Sequence, residues 1–284
     1  MHKSLSVVLI AVLAGCGAKN GAHEQVYIDN YTANRITYII ETQVKKTGHS
    51  HPGEVINKVS AEFLGTPYKA DMLIGSPTKH EKLVIDFRGL DCFTYLDYVN
   101  SLRKAKDTTD FVQQLTSTRY INSDISFKNR KHFFTDWSHQ SPLNAQDVTA
   151  KISSHAVTIT KFLNQKKDGS EFIPTLGAVK RNVVYIPAEF INEAVISQLQ
   201  TGYYIGTYTK IEGLNVTHTG IFIMTPDGPM LRIALLILIM LIRCVRLKIQ
   251  QTLCSSLRVL AILIVILASK IANTSSLTGH TNRH

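Results

Sequence analysis

The chain has 284 residues, with 31 Lys and Arg against 21 Asp and Glu, a formal net charge of +10. Six of the basic residues and none of the acidic ones fall in residues 233–284, so residues 1–232 carry 25 against 21 and are only mildly basic. The length allows one large domain or two small ones, and the lack of a Lys/Arg stripe interleaved with aromatics excludes a nucleic-acid partner.

At the amino terminus Lys3 opens a short basic region, Leu5–Leu13 an apolar one, and Leu13-Ala-Gly-Cys16 closes it. The pattern resembles a bacterial lipoprotein signal over residues 1–16, with Cys16 as the lipidated first residue of the mature chain. It implies a lipid anchor in a bacterial membrane, on the periplasmic side of the cell envelope. An ordinary secretory signal is the other reading, and it too takes the protein out of the cytoplasm.

Residues 17–53 read as a polar tether and a helix over Tyr27–Lys46, then a loop, Gly48–Gly53. His49 and His51 in that loop have no carboxylate beside them and read as solvated, not as metal ligands. Glu54–Phe63 resumes a helix, with Val55, Ile56, Val59 and Phe63 on one face. Gly65 caps it and Pro67 forbids its continuation, within Leu64-Gly-Thr-Pro-Tyr68.

A turn at Gly75-Ser-Pro77 and a strand at Leu83–Phe87 lead to the turn Gly89-Leu-Asp-Cys92. From there Phe93, Leu96, Val99 and Leu102 recur at helical spacing, so Cys92 opens a helix. A further helix at Thr109–Leu115 and an irregular polar stretch follow. His132-Phe-Phe-Thr-Asp-Trp137 carries the single Trp, which should pin its loop to the core. Val148–Ile159 suits one or two strands, Arg181–Pro187 a strand, Ala188–Leu199 a helix, and Gly202–Thr209 and Thr217–Met224 strands, closed by a turn at Pro226-Asp-Gly228. Helices early and strands late make the fold class α+β.

Among the four cysteines, Cys16 is set aside by the lipobox, and Cys244 and Cys254 lie in the tail. Cys92 is therefore an unpaired thiol in the main body of an exported protein, which is not a disulfide scaffold. No C-x-x-C pair offers a thiolate zinc site, and neither a metal nor a cofactor is expected. A lone cysteine is by default a small buried apolar residue. At a helix amino terminus, however, free N–H groups and the helix dipole lower a thiol's pKa, as a nucleophile requires. His218, near the start of a strand, is the best-placed general base.

Leu64-Gly-Thr-Pro-Tyr68, Asp91-Cys92 opening a helix and His218-Thr-Gly-Ile-Phe222 resemble the three signature segments of NlpC-type papain-like cell-wall peptidases. Asp91-Cys-Phe-Thr-Tyr95 and His132–Trp137 resemble the N-acetylmuramoyl-L-alanine amidase-like branch of that superfamily. The resemblance implies a papain-like domain over 54–232, with a late antiparallel sheet and a peptidoglycan or muropeptide substrate. It implies Cys92 as nucleophile, His218 as general base, Tyr68 in the substrate groove and Asp91 shaping the site beside the thiol. Helix N–H groups would serve the oxyanion. A non-catalytic peptidoglycan-binding lipoprotein and a papain-like acyltransferase are the competing functions.

The resemblance breaks at Ile233, which stands where the family's histidine-orienting polar residue should be. Residues 233–242 and 259–268 are wholly apolar, and each run of ten is too short for a bilayer span, which takes about 20 residues. The tail 233–284 is read as non-native, out of frame after about Arg232; buried core helices are the alternative.

Overall fold

The helix beginning at Cys92 is enclosed by the rest of the chain. The structure, a computed structural model, describes residues 8–10, 26–47, 51–234, 264–265 and 269–270. The Cys16 lipobox and nearly all of the tail, including Cys244 and Cys254, lie outside the described residues.

Two short strands, β1 (Val8–Ile10) and β2 (Val26–Ile28), pair antiparallel ahead of α1 (Asn30–Ile39). Asp29 caps α1, accepting from the Thr32 N–H. The helix continues through a π turn at Ile40–Val44 into α2 (Lys45–Thr47), and α3 (Pro52–Ala61) follows with Pro52 at its start. A hairpin of β3 (Ile74–Ser76) and β4 (Lys79–Lys82) precedes α4 (Cys92–Leu102) and α5 (Thr108–Arg119). Then come α6 (Asp136–His139), β5 (Gln146–Asp147), α7 (Thr149–Ile152), the hairpin β6 (Val157–Leu163) and β7 (Val179–Tyr185), and α8 (Glu193–Ser197). The late sheet is antiparallel, formed by β8 (Tyr204–Tyr208), β9 (Val216–Thr225) and β10 (Gly228–Arg232). Its order is β10-β9-β8-β11, where β11 is the short Ile264–Val265; β12 (Ser269–Lys270) pairs with β5. The fold is thus α+β, helices first and antiparallel sheet last.

Three expected elements differ. Leu83–Phe87 is not a strand, although Leu83, Ile85 and Phe87 are buried in alternation. Its backbone is satisfied by side chains instead of a ladder. The Phe87 N–H donates to Thr32 Oγ1 (3.2 Å), the Asp86 N–H to the Tyr98 hydroxyl (3.2 Å), and Arg119 Nη1 donates to the Val84 carbonyl (2.8 Å). Val148–Ile159 is one helical turn before β6, because the Asp147 carboxylate takes the Thr149 N–H (2.9 Å) and starts a turn. Ala188–Leu199 is broken at Asn192, which caps α8 through Val195.

The sheet packs on both faces. Tyr204, Tyr208, Ile221 and Ile223 join the main core, with Ile36 and Ile39 of α1, Ile56 and Val59 of α3, and Leu96, Val99 and Leu102 of α4. Ile205 and Phe222 point the other way, to a smaller cluster with Val148, Val195 and Leu199. The helix α4 therefore has no solvated side, which its one-face apolar spacing did not announce. Its polar residues find internal partners: Asp97 pairs with Arg119 (2.8 Å), Asn100 donates to Thr118 Oγ1 (3.0 Å) and accepts from the Tyr204 hydroxyl (3.2 Å).

Where β8 passes behind the Cys92 end of α4, a side chain at Gly206 would stand 2.6 Å from Phe134 and 2.7 Å from Val216. Gly206→Ala should therefore overpack this wall and lower stability by about 1–3 kcal/mol, read as a fall in the urea midpoint.

Candidate active site

The turn before α4 is held by two strand-like bonds: the Leu90 N–H donates to the Pro67 carbonyl (3.2 Å) and the Lys69 N–H to the Leu90 carbonyl (3.0 Å). They bring Leu64-Gly-Thr-Pro-Tyr68 against Asp91 and Cys92; Gly65, at φ +81°, makes the left-handed turn required. Asp91 is the N-cap. Its carboxylate accepts from the N–H groups of Phe93 (2.9 Å) and Thr94 (2.7 Å), while Thr94 Oγ1 accepts from the Asp91 N–H (3.0 Å), a full capping box. The Tyr95 N–H already bonds the Asp91 carbonyl (3.0 Å). Asp91 thus consumes the N–H groups expected to serve an oxyanion, and only that of Cys92 itself remains in the first turn.

Cys92 is half-buried and free. Burial pushes its thiol above the ordinary value of 9.0 and the Asp91 carboxylate adds to this; the hydroxyl and backbone N–H of Thr219 reach the sulfur and pull the other way without cancelling it. The expected thiolate is therefore not what this site favours: desolvation of a charged sulfur outweighs the helix end. Tyr68 stands beside the thiol, 42 % exposed. Its phenol is raised above the usual 10.0 by burial, then by Cys92, Asp91 and Asp71, so it remains a proton donor at neutral pH.

His218 is the third residue of β9, opposite Thr207 on β8. Its neighbour Thr219 makes the contact with α4, donating from Oγ1 to the Cys92 carbonyl (2.9 Å). The pleat turns His218 the other way, onto the face of Gly220 and Phe222. Among the described residues no hydrogen bond joins the thiol and the imidazole. Burial holds the ring below 6.5, with Asp91 opposing, and Nε2 is buried without a partner among the described residues. A Cβ on Gly220 would lie 2.5 Å from Ile233 Cγ2, so an apolar chain occupies this face two residues along from His218.

Sequence reasoning missed Thr219, which carries no signal of its own, and missed the polar bonds of His132–Trp137, whose anchorage it expected. Trp137 does pack on Phe93 and Tyr204 (ring centroids 6.0 and 5.0 Å). Thr135 Oγ1 also accepts from Arg181 (2.8 Å) and from Asn215 (2.8 Å), and Asp136 accepts from Arg181 (2.8 Å). Asn215 immediately precedes β9, so this segment sets β9 against α4 and with it residue 218 against residue 92. Polar residues inside an aromatic run were the available clue. Among the described residues no group of three His, Cys, Asp or Glu is placed to hold a metal.

With the thiol raised and the imidazole lowered, both are neutral near pH 7. Alkylation of Cys92 by iodoacetamide should then climb roughly tenfold per pH unit from pH 6 past 9, since only the thiolate reacts. A rate already at its plateau at pH 7 would mean a thiolate–imidazolium pair instead.

Residues 58–238 match the family described as N-acetylmuramoyl-L-alanine amidase-like. A solved Legionella pneumophila protein of the family DUF1460 is similar with a TM-score of 0.62 and 23% identity, covering 85% of this chain and 96% of its own. A Bacteroides uniformis N-acetylmuramoyl-L-alanine amidase follows at TM-score 0.56 and 20% identity, covering 77% and 99%. A second structure from that organism, under the same description, has TM-score 0.52 and 23% identity, covering 65% and 85%. At such identities these structures speak to the fold alone. No curated protein matches the chain.

Proposed function

The chain belongs to the N-acetylmuramoyl-L-alanine amidase-like family, and from that premise we propose a cell-envelope lipoprotein that hydrolyses an amide bond of peptidoglycan by Cys–His chemistry on a papain-like scaffold. The observation that carries this reading is the bond from Thr219 Oγ1 to the Cys92 carbonyl (2.9 Å), which sets the residue next to His218 against the one that bears the thiol. The lipobox at Cys16 supports an envelope location, where such a substrate is met.

Because both partners are neutral at rest, the proton leaves the thiol as the sulfur attacks, so His218 acts as a true general base. Sulfur bonds to the amide carbon, the imidazole takes the proton, and the resulting imidazolium returns it to the departing amine. Water, deprotonated by the same ring, then releases the acid from the thioester. Two donors remain for the oxyanion: the Cys92 N–H and the Tyr68 hydroxyl, kept protonated by its raised pKa. The ring must turn toward the sulfur for the first step; in unliganded enzymes catalytic hydrogen bonds are often long and tighten on binding.

A second reading, a peptidoglycan-binding lipoprotein without activity, is favoured by His218 Nε2, buried with no partner among the described residues, and by Ile233 packed against Gly220. Digestion of purified muropeptides, with products weighed by mass spectrometry, decides between them and also between amidase and endopeptidase. Cleaved muropeptides with the unaltered protein, and none with His218→Ala, are expected for the enzyme. Muropeptides left intact by the unaltered protein would establish the binding protein.

A further inference from the structure

Asp91 takes the N–H groups of Phe93 and Thr94 for its own carboxylate, so neither is left for charge on the Cys92 sulfur. A donor arrives from β9 instead. Thr219 is buried, and its bond from Oγ1 to the Cys92 carbonyl (2.9 Å) lays its backbone beside the first residue of α4.

The ladder fixes where the Thr219 N–H points. Along an antiparallel strand, successive N–H groups face opposite edges. The Phe222 N–H donates to the Tyr203 carbonyl (2.8 Å), so the amides of 218, 220 and 222 face β8. That of Thr219 therefore faces the β10 edge. But β10 stops at Arg232, opposite Ile221 and two residues short of the place where Thr219 would be paired. Among the described residues no backbone carbonyl takes up this N–H. A buried amide without a ladder partner forfeits a hydrogen bond unless another polar group stands before it. The thiol is that group: the N–H and the hydroxyl of Thr219 both favour its charged form.

We propose that Thr219 is a positioning residue for the nucleophile: its unladdered N–H receives the charge that develops on the Cys92 sulfur, and its hydroxyl, bonded to the Cys92 carbonyl, holds the two backbones at that spacing. As the proton leaves the thiol for His218, the next residue along β9, the bond from N–H to sulfur becomes charge-assisted and strengthens. The other titratable groups facing the sulfur are Asp91, whose carboxylate opposes the charge, and Tyr68 on the preceding loop, a neutral donor. The part of Thr219 in turnover rests on the function proposed above; its part in ionising the thiol does not.

Alkylation of Cys92 by iodoacetamide is followed against pH in the full-length protein. It is read by mass on the peptide bearing Cys92, so that Cys16, Cys244 and Cys254 do not enter. Replacing the 218–219 amide by an ester, with the α-hydroxy analogue of threonine at 219, removes the N–H and keeps the side chain. It should slow alkylation at pH 8 about tenfold or more, with the two curves converging above their midpoints because the sulfur is equally accessible. Thr219→Val should slow it in the same sense, and Thr219→Ser should restore the unaltered profile. Thr219→Ser against Thr219→Ala repeats the comparison at smaller volume, so the outcome does not hang on valine fitting. A merely structural strap would give the opposite sign: loosening β9 exposes the sulfur, relieves its desolvation and speeds labelling. An ester profile superimposed on the unaltered one, or faster labelling in the ester or valine protein, would overturn the proposal. With muropeptides, kcat should fall in both while KM holds. If the unaltered protein cleaves nothing yet labelling follows this pattern, the hydrolase reading fails and the role of Thr219 stands.

Discussion

Cys92→Ala is expected to abolish muropeptide hydrolysis, lowering kcat by about 10³-fold or more while leaving substrate affinity nearly intact. Cys92 is the one free cysteine among the described residues, and alanine removes its sulfur without adding volume. What survives is binding by the groove, which alone gives only slow turnover. Cys92, Tyr68 and His218 would act as one unit, so removing His218 as well should cost little more than removing Cys92 alone. Assays of product formation across Cys92→Ala, His218→Ala and the double variant test this non-additivity. An alanine variant keeping a tenth of the activity would mean that another group attacks the amide. The half-buried thiol makes few demands on the core, so the variant should unfold at nearly the unaltered temperature.

The second large effect is on stability. Asp97, in the middle of α4, is hydrogen-bonded through Oδ2 to Arg119 Nε at 2.8 Å, and the two side chains are 5 % and 1 % exposed. Arg119 Nη1 holds the Val84 carbonyl, its guanidinium lies 5.5 Å from the Tyr98 ring, and Nη2 has no partner among the described residues. Asp97→Ala would strand a buried cation. Breaking such a pair costs about 3–5 kcal/mol, a large share of a usual total of about 5–15 kcal/mol. The expected fall in Tm is about 6–20 °C, taking about 2–4 °C per kcal/mol for a body of this size. Replacing both partners by apolar residues, Asp97→Leu with Arg119→Met, should recover much of the loss, because no charge is then left buried. Calorimetry on the single and double variants checks both statements. A single variant as stable as the parent would show that water reaches Arg119.

The segments legible in the sequence were those whose cause is local. Asp91 followed three residues later by Thr94, ahead of Leu96 and Val99, is a helix start that needs nothing distant. The Pro226-Asp227 turn and the β-branched run before it sufficed for β9. Leu83–Phe87 misled because alternation records burial and not pairing. Its amide groups are bound by Thr32, Tyr98 and Arg119, residues from three other places in the chain.

From the sequence alone came the α+β class, the helix that Cys92 opens, the strand that carries His218, and the family to which their order belongs. The first three follow from spacing along the chain, and the family from the resemblance of its motifs. Only the tertiary structure decided that the thiol is raised and the imidazole lowered, because desolvation is a sum over neighbours from every part of the fold. It alone put Thr219 against Cys92 and spent the first-turn N–H groups on Asp91. Such juxtapositions depend on which strand pairs with which and on the hand of each pleat, and a one-dimensional pattern carries neither.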